Sequence, residues 1–566
     1  LLTQPICMKN ILRNVLFVVL ASGMFACQNK PTYDTIISQG MLYDGSGGEP
    51  VVTDIGIIHD TIAAIGDLSK ATAREVVNAK GKAVAPGFIN MMGHSEETLF
   101  ADGRGQSDIR QGVTLEVFCE SSFGPLNAQM KKQAQEGQGD IKYPVNWNTL
   151  GEYMQQVEKR GISPNIASYV GAGTIRTNVL GEGKVSPTPD QLKAMQELVD
   201  QAMQEGALGV TCALIYPPDN FASTEELIAL CKVAARYGGS YSSHIRSEGN
   251  RFIPAVEEFI RICKESGVTG ELHHLKAAGK NNWNKMDSAI ALLEKARASG
   301  LPIAADMYTY VAGATGLTSC FPPSLQDGGF GKLRERLQDP AIRKTMKAAM
   351  NSNPSDWENL YSGAGGGEHV LLLSFKQDSL KKYTGKTLAE VAAIRKQSVE
   401  DCAMDLIIQD STRVGVAYFL MNEENVRKQA GLHWVSFGSD EGSYTNEGVF
   451  LKSSAHPRAY GNFARFLGKY VRDEKVCSLS EAIYKLSCLP AEHLKLQRRG
   501  RIKPGFFADI VVFDPATIQD HATFEKPHQY ATGVSDVWVN GKAVLSGGNP
   551  TGATPGRFVK GPGYKK

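Results

Sequence analysis

Between residues 33 and 66 apolar and polar positions alternate in short runs broken by turns: Thr35-Ile36-Ile37, then Gly45-Ser46-Gly47-Gly48, then Asp54-Ile55-Gly56-Ile57-Ile58. Alternation of period two marks strands with one buried face. The same texture returns in Ala508-Asp509-Ile510-Val511-Val512-Phe513 and Val537-Trp538-Val539-Asn540-Gly541-Lys542. The two ends are therefore expected to meet in one small β-sandwich domain, made of residues 28–85 and 486–566. The middle of the chain is different. Short apolar runs occur at 84–89, 113–119, 165–170, 207–213, 239–243, 268–273, 302–306 and 434–438, with helical spacing at 189–205, 223–237, 252–266 and 286–299. Near-continuous apolar runs suit parallel strands covered on both faces. Eight of them alternating with helices predict an α/β fold, a (β/α)8 TIM-like barrel over 86–485. More than 120 residues separate the seventh run from the eighth, too many for a connection, so 318–430 is expected to be an insertion or lid.

Residues 1–27 have the pattern of an address. Lys9 and Arg13 precede an apolar run from Val15 to Phe25, which ends at Ala26-Cys27 before Gln28-Asn29-Lys30. A basic start, a short apolar core and small residues at a cut site describe a signal peptide, and the run is short for a membrane span. Cys27 resembles the first mature residue of a bacterial lipoprotein, although Met24 stands where Leu is usual three residues earlier. The expectation is export to the periplasm or an outer-membrane anchor, with membrane attachment through a lipidated Cys27.

Composition narrows the field further. In 566 residues, 42% hydrophobic and 21% charged, the balance is that of a globular protein. A net charge of +2 gives no reason to expect nucleic acid as a partner. Ten cysteines are too sparse for a disulfide scaffold, and their spacing forms no zinc knuckle. With only 11 histidines, the position of each is informative.

Active sites of such barrels lie at the C-terminal ends of the strands. There the runs give His94, Cys119-Glu120, Tyr216, His244, His273-His274, Asp306, Tyr308, Tyr310 and Ser439-Asp440 in turn. A single rim histidine is ordinarily just hydrogen-bonded. Two at neighbouring strand ends, with a carboxylate on the eighth strand and an acid or thiolate on the second, form a donor set for Zn²⁺. Adjacent strand residues face opposite ways, so only one of His273 and His274 should enter. His59, His369, His433, His493, His521 and His528 lack such a context.

Several stretches then carry a family resemblance. Val84-Ala-Pro-Gly-Phe-Ile-Asn90 resembles the opening strand of the amidohydrolase superfamily. Gly209 to Pro218, Ser243-His-Ile-Arg-Ser-Glu-Gly249, His273-His-Leu-Lys-Ala-Ala-Gly279, Gly438-Ser-Asp440, His456-Pro-Arg458 and the tail from Arg499 resemble its D-aminoacylase (N-acyl-D-amino-acid deacylase) branch, over about 33–560. The resemblance implies that His244 and His274 hold zinc and that Asp440 is the catalytic acid of the eighth strand. It also implies that Tyr216, Lys276 and Tyr310 line the pocket of a small substrate carrying a carboxylate.

The departures are informative. Where the family has Asp-x-His-x-His, this chain reads Asn90-Met-Met-Gly-His94, so Met92 replaces one histidine, and a thioether is a poor zinc ligand. The family's cysteine ligand falls on Ser121. Glu120 is the expected substitute, with Cys119 in reserve and His94 as the remaining imidazole. Ala172 stands where histidine is frequent. These losses favour one zinc, at Glu120, His244 and His274, over two. The expected function is hydrolysis of N-acyl-D-amino acids or related D-amino-acid amides and dipeptides. Two alternatives stand beside it: a cyclic-amide hydrolase or deaminase, which would need no carboxylate pocket, and an inactive surface binding protein.

Overall fold

The structure, a computed structural model, describes residues 32–565. The expected leader and Cys27 lie outside them.

The two ends of the chain meet in one sheet. Ala83–Pro86 pairs antiparallel with Ile510–Phe513 and parallel with Met41 and Leu42 of Thr32–Leu42. Val51–Ile58 and Thr61–Gly66 extend this sheet on one side, Val534–Val539 and Lys542–Ser546 on the other. Ile37, Ile55, Ile57, Val84, Ile510 and Trp538 pack as its core. Nine strands are hydrogen-bonded as one sheet, where a sandwich of two separate sheets was expected. Thr32–Leu42 breaks register with Val51–Ile58 between Ile37 and Gly40, where its pairing on the other edge also changes partner. Its first half pairs with Thr72–Asn78 and its end with Ala83–Pro86.

Eight parallel strands follow in chain order: β1 Phe88–Gly93, β2 Val113–Phe118, β3 Asn165–Ser168, β4 Gly209–Ala213, β5 Ser240–His244, β6 Thr269–Leu272, β7 Ile303–Met307 and β8 Val435–Phe437. β1–β3 form one array. β4–β8 form another, which Val170–Gly171, just after β3, joins at β4. At the far end Asp440 N donates to Met92 O (2.8 Å), and Gly93 bridges to Glu441. The expected first strand, 84–89, is in fact two. The chain leaves the small sheet after Pro86 and enters β1 at Phe88. Gly87 is the joint, where a Cβ would lie 2.1 Å from Thr114 Oγ1.

Helices cover the strands. Pro189–Glu205 starts at a capping box between Thr188 and Gln191, with proline in its first turn. Its buried Met195, Val199 and Met203 join Leu227 and Leu230, Val256 and Phe259, and Ala289 and Leu293 of the next three helices in the main core. The long segment after β7 has its own three-stranded antiparallel sheet, Gly313–Gly316, Gly415–Tyr418 and Val370–Ser374, and its own core around Leu317, Phe321, Leu333, Val391 and Ile407. It begins a few residues before the expected 318, because Gly313–Gly316 is its edge strand. It ends sooner than 430, since Val426 and Ala430 pack into the main core.

One acid beside β2 has a consequence for stability. Asp108 is 1% exposed, and burial pushes its carboxyl up to about 7, the Ser443 hydroxyl offsetting only part of this. A folded-state pKa above the unfolded value means that Asp108 favours the fold when protonated. Its contribution is complete below pH 4 and is lost as pH rises toward 7. Asp108→Asn keeps the shape without the titration. Thermal melts are expected to give the variant the higher midpoint at pH 8 and a vanishing difference near pH 4.

Candidate metal centre

Three site residues stand on strained backbone. Glu120, His274 and Asp440 have φ of 64°, 34° and 52°, left-handed values that L side chains adopt at a cost. Each backbone N–H is tied down by a neighbour: Glu120 N donates to Thr211 Oγ1 (2.8 Å), His274 N to Asp306 Oδ1 (2.7 Å) and Asp440 N to Met92 O (2.8 Å). These sharp turns at the strand ends aim the three side chains at one cavity.

The geometry centres on Glu120. Its Oε1 lies 3.0 Å from His244 Nδ1 and 3.0 Å from His274 Nε2, and the two rings meet edge to face at 4.4 Å. Its Oε2 lies 3.8 Å from His94 Nε2, which is 3.2 Å from Asp440 Oδ1. Two donor triads therefore share one carboxylate: Glu120, His244 and His274, then His94, Glu120 and Asp440. His273 turns away, its Nδ1 2.7 Å from Asp306 Oδ2, so one aspartate fixes the backbone of one histidine and the ring of the other.

Behind the two rings stands Glu248. Its Oε1 lies 3.0 Å from His274 Nδ1 and 2.7 Å from Lys276 Nζ, and its Oε2 lies 3.5 Å from His244 Nε2. Arg458 backs Asp440, with Nη1 2.7 Å from Oδ2 and Nη2 2.6 Å from the main-chain oxygen. Its guanidinium lies 4.4 Å from the centre of the Tyr308 ring, and Lys276 Nζ lies 5.6 Å from it. The cavity in front, about 700 Å³, is lined by both triads together with Tyr216, Tyr308, Lys276 and Arg458.

Two expected residues are placed elsewhere. Cys119 is fully buried, its Sγ directed at Val117 O (3.8 Å) and Met91 O (4.0 Å), and burial pushes its thiol well above the usual range. β2 ends at Phe118, and the left-handed turn at Glu120 brings its carboxylate forward while Cys119 stays inside. Tyr310 bonds Asp520 Oδ2 (3.3 Å) under Arg465 and does not line the cavity. β7 ends at Met307, so strand alternation no longer governs position 310. Tyr216 does line the cavity, its ring 5.3 Å from that of His244, and so does Lys276, whose ammonium is engaged by Glu248. Met92 is buried in one cluster with Leu115 and Val117. Sequence reasoning assigned no role to Glu248 or Arg458, although both stood in the stretches that carried the resemblance.

Electrostatics tests whether a cation fits. Burial alone would lower the His274 pKa, but Glu248 and Glu120 outweigh it and push it up to about 10. For His94 burial is likewise outweighed, by Asp440, Glu96 and Glu120, and the value rises to about 9. Glu120 stays ionised well below the usual range, because the two imidazoles overcome its burial. Burial pushes the His244 pKa down, so His274 is the protonated imidazole of this triad; its charge offsets part of that of Glu120 and Glu248, and a dication can take that place once the proton leaves. Two imidazole nitrogens and a carboxylate oxygen, with an outer carboxylate behind the rings, are the donor chemistry of zinc. The residues fit the metal.

Known proteins resemble this chain in sequence and in fold. Residues 428–545 match the model of an amidohydrolase family. The D-aminoacylase of Alcaligenes xylosoxydans xylosoxydans is 32% identical over 529 residues, 93% of this chain and 97% of that one. A solved D-aminoacylase, described as having a binuclear centre with one-metal activation and second-metal attenuation, superposes with a TM-score of 0.77 at 32% identity, covering 93% of this chain and all of that one. The N-acyl-D-glutamate deacylase of Bordetella bronchiseptica, solved with zinc and a phosphonate mimic of the tetrahedral intermediate, gives 0.78 at 27% identity, over 94% and 100%. By sequence and by structure, the chain belongs to the D-aminoacylase branch of the amidohydrolases.

Proposed function

We propose that the protein is a zinc-dependent hydrolase of N-acyl-D-amino acids, built on a closed (β/α)8 barrel. The observation that carries this reading is the single Glu120 oxygen 3.0 Å from both His244 and His274, with Asp440 beside it. One ion, held by Glu120, His244 and His274, is favoured over two, since the second triad has one imidazole where the first has two.

When bound, the metal supplies Lewis acidity toward the scissile carbonyl and acidifies water. The chain's own residues do the rest. Asp440 takes the proton of the attacking water and returns it to the leaving nitrogen, acting as base and then acid. Arg458 and His94 hold Asp440 ionised against its burial, far below the usual carboxylate range. Lys276, Tyr308 and Arg458 form a cationic and hydroxyl wall for the substrate carboxylate, and Tyr216 flanks the other side of His244. Such a wall favours this reading over deamination or cyclic-amide hydrolysis of neutral substrates. The inactive-barrel reading is opposed by three strained, individually anchored residues at the site, since strain of this kind is retained where chemistry uses it. The leader pattern adds export and anchoring through Cys27 to the proposal. Among the described residues no helix is long and apolar enough to cross a membrane.

The test is a panel of N-acetyl D- and L-amino acids offered to protein carrying one equivalent of zinc. Turnover of D-substrates that ceases on chelation and returns with zinc is expected. No turnover across the panel at full zinc loading would remove the proposal.

A further inference from the structure

Glu248 has a role that rests on the zinc reading and deepens it. This residue is 2% exposed and lies four residues after His244, on the loop leaving β5. Glu120 and Glu248 face opposite nitrogens of the same two rings. Glu120 meets His244 at Nδ1 and His274 at Nε2, whereas Glu248 faces His244 at Nε2 and His274 at Nδ1. His244 Nε2 is buried and has no hydrogen-bond partner among the described residues, and the Glu248 Oε2 atom 3.5 Å away faces it. Glu248 is itself held by the insertion, where Glu358 Oε2 accepts from Glu248 N (2.6 Å) and Gly249 N (3.2 Å).

We infer that Glu248 is the positioning residue of the metal centre: one carboxylate sets the tautomers of both ligand imidazoles, in opposite senses. By accepting from His274 Nδ1–H it leaves Nε2 as the lone-pair nitrogen. With its Oε2 facing His244 Nε2 at 3.5 Å, it favours the proton on that nitrogen and leaves Nδ1 for the ion. In both rings the free lone pair then points to the Glu120 side. The bond made by one ring nitrogen decides what the other can ligate.

Lys276 makes this choice necessary. Its Nζ lies 2.6 Å from His274 Nδ1, close enough to donate to it, which would put the ring proton on Nε2 and block the metal side. Glu248 Oε1, 2.7 Å from the same ammonium and 3.0 Å from Nδ1, competes for that donor and offers an Nδ1–H an acceptor. Without the Glu248 carboxylate, Lys276 takes Nδ1 and His274 turns the wrong tautomer to the ion.

The measurement is zinc affinity by chelator competition, with zinc alone and no substrate. Glu248→Gln is expected to weaken zinc by roughly 10–100-fold, the usual cost of losing such an outer partner. Adding Lys276→Met is expected to restore part of that loss, because the competing donor is gone; a merely structural role for Glu248 gives no such rescue. Should Glu248→Gln fail to fold, Lys276→Met alone decides: affinity equal to or above that of the unaltered protein supports the inference, and a fall overturns it. Glu248→Gln binding as tightly as the unaltered protein, or weakened without rescue, overturns it as well. If the unaltered protein binds no stoichiometric zinc, the zinc reading fails first, and that outcome is distinct from the others.

Discussion

Replacing His274 with alanine is expected to remove zinc and turnover together. Its Nε2 is one of three donors that converge on a single point, and it is the one most firmly fixed, by Asp306 at its backbone and Glu248 at its far nitrogen. Structural zinc sites gain about 10–16 kcal/mol from four ligands, so one ligand is worth about 3 kcal/mol, or roughly two orders of magnitude in affinity. The variant also leaves Glu120 with a single imidazole against its burial. Elemental analysis after dialysis should read near one equivalent for the unaltered protein and near none for His274→Ala, with hydrolysis lost in parallel. The neighbouring His273→Ala is the control. His273 is fully buried against Asp306 and faces away from the cavity. Losing it should lower the thermal midpoint, at a cost of about 1–3 kcal/mol for the unpaired acid, while zinc stays near one equivalent. Retention of zinc or of turnover by His274→Ala would contradict the proposed site.

Burial decides how much of the fold and site is legible in the sequence. Strands covered on both faces favour short apolar runs, which makes β4, β7 and β8 stand out more than the serine-rich β5, and the polar residues at their ends stand out in turn. Where a run carries no polar break, the eye is misled. Val84-Ala-Pro-Gly-Phe-Ile reads as one strand although Gly87 passes it from one sheet to another. Alternation is legible only inside a strand. It separates His273 from His274 directly after β6, but it has lapsed by Tyr310, three residues past β7, where the outcome is set by Asp520 and Arg465 from distant parts of the chain. The choice between Cys119 and Glu120 depended on which way the chain turns after β2, and the left-handed φ of Glu120 leaves no trace in residue type. Glu248 and Arg458 were invisible for a different reason. Both lie in segments past strand ends, at no fixed period from His244 or Asp440, and return to the site only through tertiary contacts. The motifs that carried the resemblance contained both, and geometry was needed to say what they touch.

Asp440→Asn is expected to separate chemistry from metal binding. Asparagine keeps the size of the side chain and an oxygen for Arg458, but it cannot take a proton from water at any working pH. The three donors Glu120, His244 and His274 do not include Asp440, so zinc should remain near one equivalent. Turnover should fall by about 10²–10⁴-fold, the usual contribution of a positioned proton carrier, with KM little changed because Lys276, Tyr308 and Arg458 remain in place. The pH profile gives a second readout. Burial would raise the Asp440 pKa, but Arg458 and His94 hold it far below the usual range, so Asp440 stays ionised throughout mildly acidic solution. An acid limb near pH 5–6 in the unaltered enzyme then cannot come from Asp440. It should instead follow loss of zinc as protons return to the imidazoles, and zinc content measured at the same pH values should fall in step. If the acid limb appears while zinc remains fully bound, or if Asp440→Asn keeps turnover within about tenfold of the unaltered enzyme, proton transfer belongs to another group.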